Sequence, residues 1–381
     1  MKVLTNIKFA HTAGIAQVVL SFMDFVEKSK GKDLNIVAVT ILNKNKKTFK
    51  KTSTNKTSTV SIGAVIPDIA QVVNKAKNLA EVKKAYEKVI SAYQTVIKKE
   101  KPDLILINGT YFMPWCLLQA SERESVPAVL HYHGVLMKEV VNWGTRQKKI
   151  FLEMEKCFDK KDMFYIFPSE ITKNVVEKEV FKHKIKKLAV IPNPISAHFF
   201  DGKDIVHEIS QKRNIGIVSR WTGIKNVQFC ENLAKYNSKN GNKFVVNVIT
   251  DISKSHKSYK KLSKVITFHK PKNNKELVSF YKNMDVVISP SHFETYGNVA
   301  KESIASGTPA MVSSNMGVSE TFNNLGLGDW IINFDSVKSV YAKIESIMGE
   351  TVHIDVKDKM KKLYAPYIIF SQISSILISE M

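Results

Sequence analysis

Two carboxylates eight positions apart, Glu294 and Glu302, are the residues best spaced to do chemistry in this sequence. They sit in Ser289-Pro290-Ser291-His292-Phe293-Glu294-Thr295-Tyr296-Gly297-Asn298-Val299-Ala300-Lys301-Glu302. The apolar run Val286-Val287-Ile288 before it reads as a buried strand, and the helix after it stops at Gly307-Thr308-Pro309. One carboxylate thus falls in the turn after a strand and the other inside the next helix. The amides between them lie at a helix N-terminus, where partial positive charge favours an anion. That combination suits a ligand carrying both hydroxyls and phosphates. The pair alone fits a helix cap and a solvated charge equally well, so the other motifs must decide.

Three further stretches bear on the choice. Gly216-Ile217-Val218-Ser219-Arg220-Trp221-Thr222-Gly223-Ile224-Lys225-Asn226 reads as strand, turn and helix start. It offers an arginine fork and a mobile ammonium, a pairing suited to a diphosphate. In Val129-Leu130-His131-Tyr132-His133-Gly134 a strand ends at His133, which could bond a sugar hydroxyl or a phosphate; His131 reads as structural. In Ala10-His11-Thr12-Ala13-Gly14-Ile15 a first strand meets a first helix, and Gly14 allows a ligand close to the backbone.

The elements that must position these residues alternate between short apolar strands and helical patterns, as in parallel α/β sheets. Strands are expected at 2–7, 34–41, 60–62, 104–107, 128–131, 163–167 and 188–191, with helices at 15–28, 69–99, 114–121, 145–158 and 171–179. Ile191-Pro192-Asn193-Pro194 reads as a boundary, since two prolines favour an extended link. A second set follows: strands at 215–218, 244–249, 265–268, 286–288, 310–313 and 330–333, and helices at 226–236, 275–282, 298–306, 318–323 and 336–348. The segment 356–380 reads as one or two helices with an apolar face. In such sheets ligands bind beyond the carboxyl ends of the strands, where every motif above lies.

Composition narrows the class. A chain of 381 residues with 44% hydrophobic and 24% charged residues suits two globular domains. No apolar run is long enough to span a bilayer, and Met1-Lys2-Val3-Leu4-Thr5-Asn6-Ile7 reads as a strand rather than a signal peptide. Three scattered cysteines, Cys116, Cys157 and Cys230, suggest a reducing compartment and no metal site. The net charge is +22, and residues 1–200 hold 33 Lys and Arg against 18 Asp and Glu. Six lysines crowd 43–59, a solvated loop or a β-excursion. Lysine far outnumbers arginine, which fits diffuse attraction to an anionic surface better than base recognition.

Taken together, these motifs resemble the retaining glycosyltransferases of family 4, which have the GT-B fold. Pro-Ser-x-x-Glu-x-x-Gly with a second Glu appears as Pro290, Ser291, Glu294, Gly297 and Glu302. Gly-Arg-x4-Lys appears with Ser219 in place of the glycine, followed by Arg220 and Lys225. Pro192-Asn193-Pro194 stands where Pro-Asn-Gly is usual, and Asn315-Met316-Gly317-Val318-Ser319-Glu320 where Gly-Gly-x-x-Glu is usual. The glycine-rich opening loop is reduced to Gly14.

The resemblance implies two Rossmann-like, doubly wound parallel-sheet domains facing each other across a cleft. An acceptor domain would span 1–195, joined by a C-terminal helix at about 356–381, and a nucleotide-sugar domain 196–355. It implies catalytic roles for Glu294, His133, Arg220 and Lys225. Arg220 and Lys225 would hold the diphosphate, Glu294 the donor's sugar hydroxyls and Glu302 the ribose. The amides of Tyr296, Gly297 and Asn298 would meet sugar and phosphate, and Gly14 would lie against the diphosphate. No metal or cofactor is implied, and a UDP-sugar is placed ahead of a GDP-sugar. The acceptor would be a glycan, a lipid-linked molecule or a polymer. The enzyme would be cytoplasmic, with the basic N-terminal half suited to the inner face of an anionic membrane and no nucleic acid expected. A sugar-nucleotide epimerase or a phosphorylase shares the architecture. The epimerase lacks this combination of motifs, and a phosphorylase would be much longer. A non-catalytic, basic nucleic-acid-binding protein would have no use for Glu294 and would interleave aromatics with its basic runs.

Overall fold

The computed structural model describes residues 1–7, 14–29, 34–45, 48–200, 213–348, 350 and 352–380. Two compact α/β units emerge: Met1–Pro192 with Ile369–Met381, and Asn193–Ile368.

The first unit is built on eight strands: β1 (Lys2–Asn6), β2 (Asn35–Asn43), β3 (Phe49–Ser53), β4 (Thr57–Ala64), β5 (Leu104–Asn108), β6 (Ala128–His131), β7 (Phe164–Phe167) and β8 (Leu188–Val190). Their order is β3-β4-β2-β1-β5-β6-β7-β8. All pairs are parallel except β3, which runs antiparallel to β4. Every residue of β5 is buried, as a parallel strand covered on both faces requires. The lysine-rich stretch is the β-excursion: β3 is exposed throughout, and Lys50 and Lys51 blunt an open edge.

Helix Gly14–Lys28 buries Ala16, Val18, Val19, Phe22, Met23 and Val26, a stripe at helical spacing. The chain's last helix, Pro366–Ser379, buries Ile369, Phe370, Ile373 and Leu377 in the same core. The rings of Phe22 and Phe370 lie 5.3 Å apart. Each such side chain contributes about 1.5–3 kcal/mol on burial.

The second unit carries β9 (Arg213–Val218), β10 (Phe244–Ile249), β11 (Thr267–His269), β12 (Val286–Ser289), β13 (Ala310–Ser313) and β14 (Ile331–Ile332), all parallel. The order is β11-β10-β9-β12-β13-β14. The chain winds outward from β9 through β10 and β11, then returns to β12 on the other flank of β9. That reversal sets the carboxyl ends of β9 and β12 side by side, at the sheet's topological switch point.

Some expectations need correction. The single helix expected at 69–99 is three helices, Ile69–Lys75, Leu79–Ala85 and Glu87–Glu100. Ala76 is extended, and Asn78 starts a new helix by accepting from the Glu81 amide. Helix 171–179 ends in a π-helical turn, Val176–Phe181. The helices Leu136–Glu139 and Lys257–Leu262 were not foreseen. Residues 356–368, expected with the first domain, belong to the second unit. Met360 and Tyr364 are fully or nearly buried in that unit's core, which holds the helix there. Among the described residues, no helix is long and apolar enough to cross a membrane.

Candidate functional site

The β9 and β12 loops bring the two main motifs into contact. After β9, a short 3-10 turn at Gly223–Lys225 leads to Asn226, whose φ is 54°. Asn226 tolerates that left-handed backbone and caps helix Val227–Lys239 through its side chain. After β12, His292 donates its amide to the Ile224 carbonyl at 2.9 Å, stitching one loop to the other. Lys225 Nζ then lies 3.0 Å from Glu294 Oε2, with both side chains about four-fifths buried. Ser291 donates to the other oxygen, Glu294 Oε1, at 2.6 Å.

A third loop braces the backbone of the same residue. Gly317 donates its amide to the Glu294 carbonyl, and Val318 to that of Tyr296. Gly297 has φ of 108°, and an added Cβ there would fall 2.7 Å from Met316 Cε. Only glycine satisfies both the backbone and the contact. The chain then enters helix Asn298–Ala305. The amides of Tyr296, Gly297 and Asn298 donate to no protein group among the described residues. They form an anion-ready helix start beside Glu294.

Glu302 lies within that helix. Tyr281 donates to its Oε2 at 3.0 Å. Burial raises the carboxyl's pKa, opposed by the Tyr281 hydrogen bond and the charge of Lys301. Lys301 is fully buried and donates to the backbone carbonyls of Asn193 and Pro194, with its ammonium 4.3 Å from the centre of the Tyr296 ring. Burial holds its pKa well below the ordinary lysine value. The Tyr296 side chain is buried, its hydroxyl 2.7 Å from Thr321 Oγ1, so only its amide remains for a ligand. The Asn298 side chain accepts from Asn193. Arg220 is exposed and makes no side-chain hydrogen bond or ion pair among the described residues.

His133 and Gly14 belong to the first unit. Gly14 opens its helix, and a Cβ there would meet nothing within 4 Å among the described residues. The rest of that motif, Ala10 to Ala13 with His11, lies outside the described residues. His133 follows β6, with Nε2 3.0 Å from Asn108 Oδ1 and its ring centre 4.0 Å from that of His131. Burial, then the neighbouring His131, lowers its pKa well below the usual value. His131 is buried and its Nε2 has no hydrogen-bond partner among the described residues, as a structural histidine in an apolar strand.

Three supporting residues escaped the sequence reading, Asn108, Glu155 and Lys301, while Ser291 was read only as a motif position and not as the donor to Glu294. Glu155 is fully buried and accepts from the Leu136 and Met137 amides at 2.8 and 2.9 Å, fixing the chain just after His133. Burial lifts its pKa to about 7, opposed by those two bonds. Asn108 alone carried a signal: it ends the all-apolar run Leu104-Ile105-Leu106-Ile107 at a carboxyl edge.

Two parallel-sheet α/β units of this kind are the architecture of the GT-B fold class. Residues 205–362 match the family described as Glycosyl transferases group 1, and residues 79–199 match Glycosyltransferase Family 4. The chain belongs with these family 4-like glycosyltransferases. It is 24% identical over 316 residues to an uncharacterized glycosyltransferase of Methanocaldococcus jannaschii, covering 68% of this chain and 79% of that one. It is 26% identical over 218 residues to an uncharacterized 41.2 kDa protein in the cps region of Klebsiella pneumoniae. That match covers 54% of this chain and 57% of the relative's length. The fold matches sucrose-phosphate synthase from Thermosynechococcus elongatus with a TM-score of 0.76, 13% identity, and 100% and 99% of the two chains covered.

Proposed function

We propose that the chain transfers a hexose from a nucleotide-diphosphate sugar to an acceptor hydroxyl with retention at the anomeric carbon. The observation that carries this reading is the contact between Lys225 and Glu294 beside the start of helix Asn298–Ala305. On this reading Arg220 and Lys225 hold the diphosphate. Glu294, oriented by Ser291, accepts from the donor's sugar hydroxyls. The amides of Tyr296, Gly297 and Asn298 meet sugar and phosphate, and Glu302 takes the ribose hydroxyls. Gly14 and His133 serve the same substrate from the first unit, Gly14 against the diphosphate.

In the transfer, the bond between the anomeric carbon and the diphosphate oxygen breaks. A bond to the acceptor oxygen forms on the same face, and the acceptor's proton passes to the leaving phosphate. The positive charge of Arg220 and Lys225 stabilises that leaving group, a term that usually dominates such catalysis. Glu294 is committed to Lys225 and Ser291, which supports a positioning role over a covalent nucleophile. No metal is required on this reading, and the donor is a UDP-sugar in preference to a GDP-sugar.

The acceptor belongs to the first unit. Similarity to a capsular polysaccharide biosynthesis glycosyltransferase of Staphylococcus aureus, 28% identical over 103 residues (26% of this chain and 27% of that one), supports a product in cell-surface glycan or glycolipid synthesis. The basic excess of residues 1–200 supports a cytoplasmic enzyme docked on an anionic membrane face. Mass spectrometry of products formed with each nucleotide sugar tests the transfer. Release of one nucleotide diphosphate with an α-linked product supports the reading. Turnover of none, or a β-linked product from an α-linked donor, refutes it.

A further inference from the structure

The chain passes from one unit to the other twice, between Pro192 and Asn193 and between Ile368 and Ile369. Inside the second unit the segments next to these two passages are joined. Ile195 donates its amide to the Tyr364 carbonyl at 2.8 Å, and both residues are buried.

Helix Asn298–Ala305 holds the joined segments. Asn298, Lys301 and Glu302 fall at i, i+3 and i+4, so they share one face of it. Asn298 Oδ1 accepts from Asn193 Nδ2 at 3.2 Å. Lys301 Nζ donates to the Asn193 carbonyl and, at 3.2 Å, to that of Pro194. It also lies 4.3 Å from the centre of the Tyr296 ring and 5.8 Å from that of Tyr364. Glu302 accepts from Tyr281, whose ring centre is 6.1 Å from that of Phe199 in the turn Ala197–Phe199.

Lys301 is the central contact of the three because it holds backbone. An ammonium has three N–H groups and accepts nothing. Two carbonyls and the Tyr296 ring face offer one acceptor to each. A bare amine would turn its lone pair on these same groups, none of which donates. Pro194 has no N–H, so its carbonyl is the backbone group by which residue 194 can be held. Charging a fully buried lysine is costly, and these contacts are what offsets that cost.

We propose that Lys301 is a positioning residue for the donor site: it pins 193–195 to helix Asn298–Ala305, so that a nucleotide ordering the start of that helix also orders both segments next to the passages between the units. Asn298 opens the helix, and Lys301 follows about one turn later, which makes the path from ligand to pin short. The coupling is reciprocal, so a lost pin must also weaken the nucleotide. This transmission rests on the donor reading above, while the pin does not.

Hydrogen exchange by NMR on the full chain reads the pin without nucleotide, at the Ile195 amide. The reference is the Val287 amide of β12, which donates to the Pro309 carbonyl. Lys301→Met keeps the length of the side chain and removes its donors. It should speed exchange at Ile195 about tenfold or more relative to Val287, as for loss of a charge-assisted contact to a local segment. Equal acceleration of both amides, or none at Ile195, would overturn the pin. Saturating UDP reads the transmission. It should slow Ile195 exchange about fivefold or more in the native chain, and much less in Lys301→Met, which should bind UDP more weakly by a similar factor. A native Ile195 amide indifferent to bound UDP would overturn the transmission even where Lys301→Met fails to fold, and so would an undiminished response in the variant. UDP that does not bind the native chain would refute the donor reading and the transmission together, while the nucleotide-free rates still decide the pin.

Discussion

The carboxyl edges of the two sheets use opposite chemistries. In the second unit the edge is charged and solvent-facing: Arg220 is exposed, and Lys225 and Glu294 form a partly buried pair. Its loops are pinned by backbone bonds among 224, 292, 294, 296, 317 and 318. In the first unit the edge is a set of amides and imidazoles: Asn108 and His131 are buried and His133 is half-buried around β5 and β6, with Glu155 buried beneath the next turn. A diphosphate calls for mobile cations and free amides, since charge must be met as it develops.

The largest expected break in this contrast is at Lys225. Lys225→Ala should cut kcat/KM by about 100- to 1,000-fold, as for loss of one preorganised electrostatic group. Stability should fall by less than that loss implies, because Ser291 still donates to the Glu294 carboxylate, which keeps about a fifth of its surface in solvent. Steady-state kinetics beside urea melts would check it, and a loss of stability matching the loss of activity would contradict it.

Glu155 probes the buried edge. It binds its proton up to about pH 7 in the folded chain and only to about pH 4.3 when unfolded. Between those values the folded state holds more protons, so its contribution to stability falls as the pH rises. Relative to Glu155→Gln, the native protein should lose about 3 kcal/mol between pH 4 and pH 8, an order-of-magnitude figure. Urea unfolding of both proteins across that range measures it, and parallel curves would refute it.

Gly297→Ala should cost about 2 kcal/mol, since its positive φ is strained for alanine and the Cβ meets Met316. Nucleotide binding should weaken with it, because the strain falls on the amides proposed to bind. Gly14→Val is the complementary case. It has room for its side chain, so the melting temperature should stay near native while kcat/KM falls about tenfold, as expected for a lost close approach. An unchanged kcat/KM would remove Gly14 from the site.

The charged edge was legible in the sequence, and the buried edge was not. Arg220 with Lys225, and Glu294 with Glu302, are local motifs that each follow a recognisable strand. The switch between β9 and β12 brings Lys225 of one motif against Glu294 of the other by a rule of parallel sheets. Thr5 and Asn108 meet across 103 residues, and no local spacing announces that contact. Lys301 reads as a surface lysine, yet it lies fully buried against two carbonyls, because the 193–194 turn packs onto its helix. The break at 76–78 was missed because a lysine-rich helical pattern hides the Asn78 cap.

The central claim is that the β9–β12 edge holds a nucleotide diphosphate. Calorimetric titration of the full chain with UDP, GDP and TDP, without and with added magnesium, tests it most directly. The account predicts that UDP binds in the absence of magnesium. Arg220→Ala and Lys225→Ala should each weaken it by about tenfold or more, the loss expected for a charge-assisted contact. Binding of none of the three, or UDP binding that both substitutions leave unchanged, would contradict it.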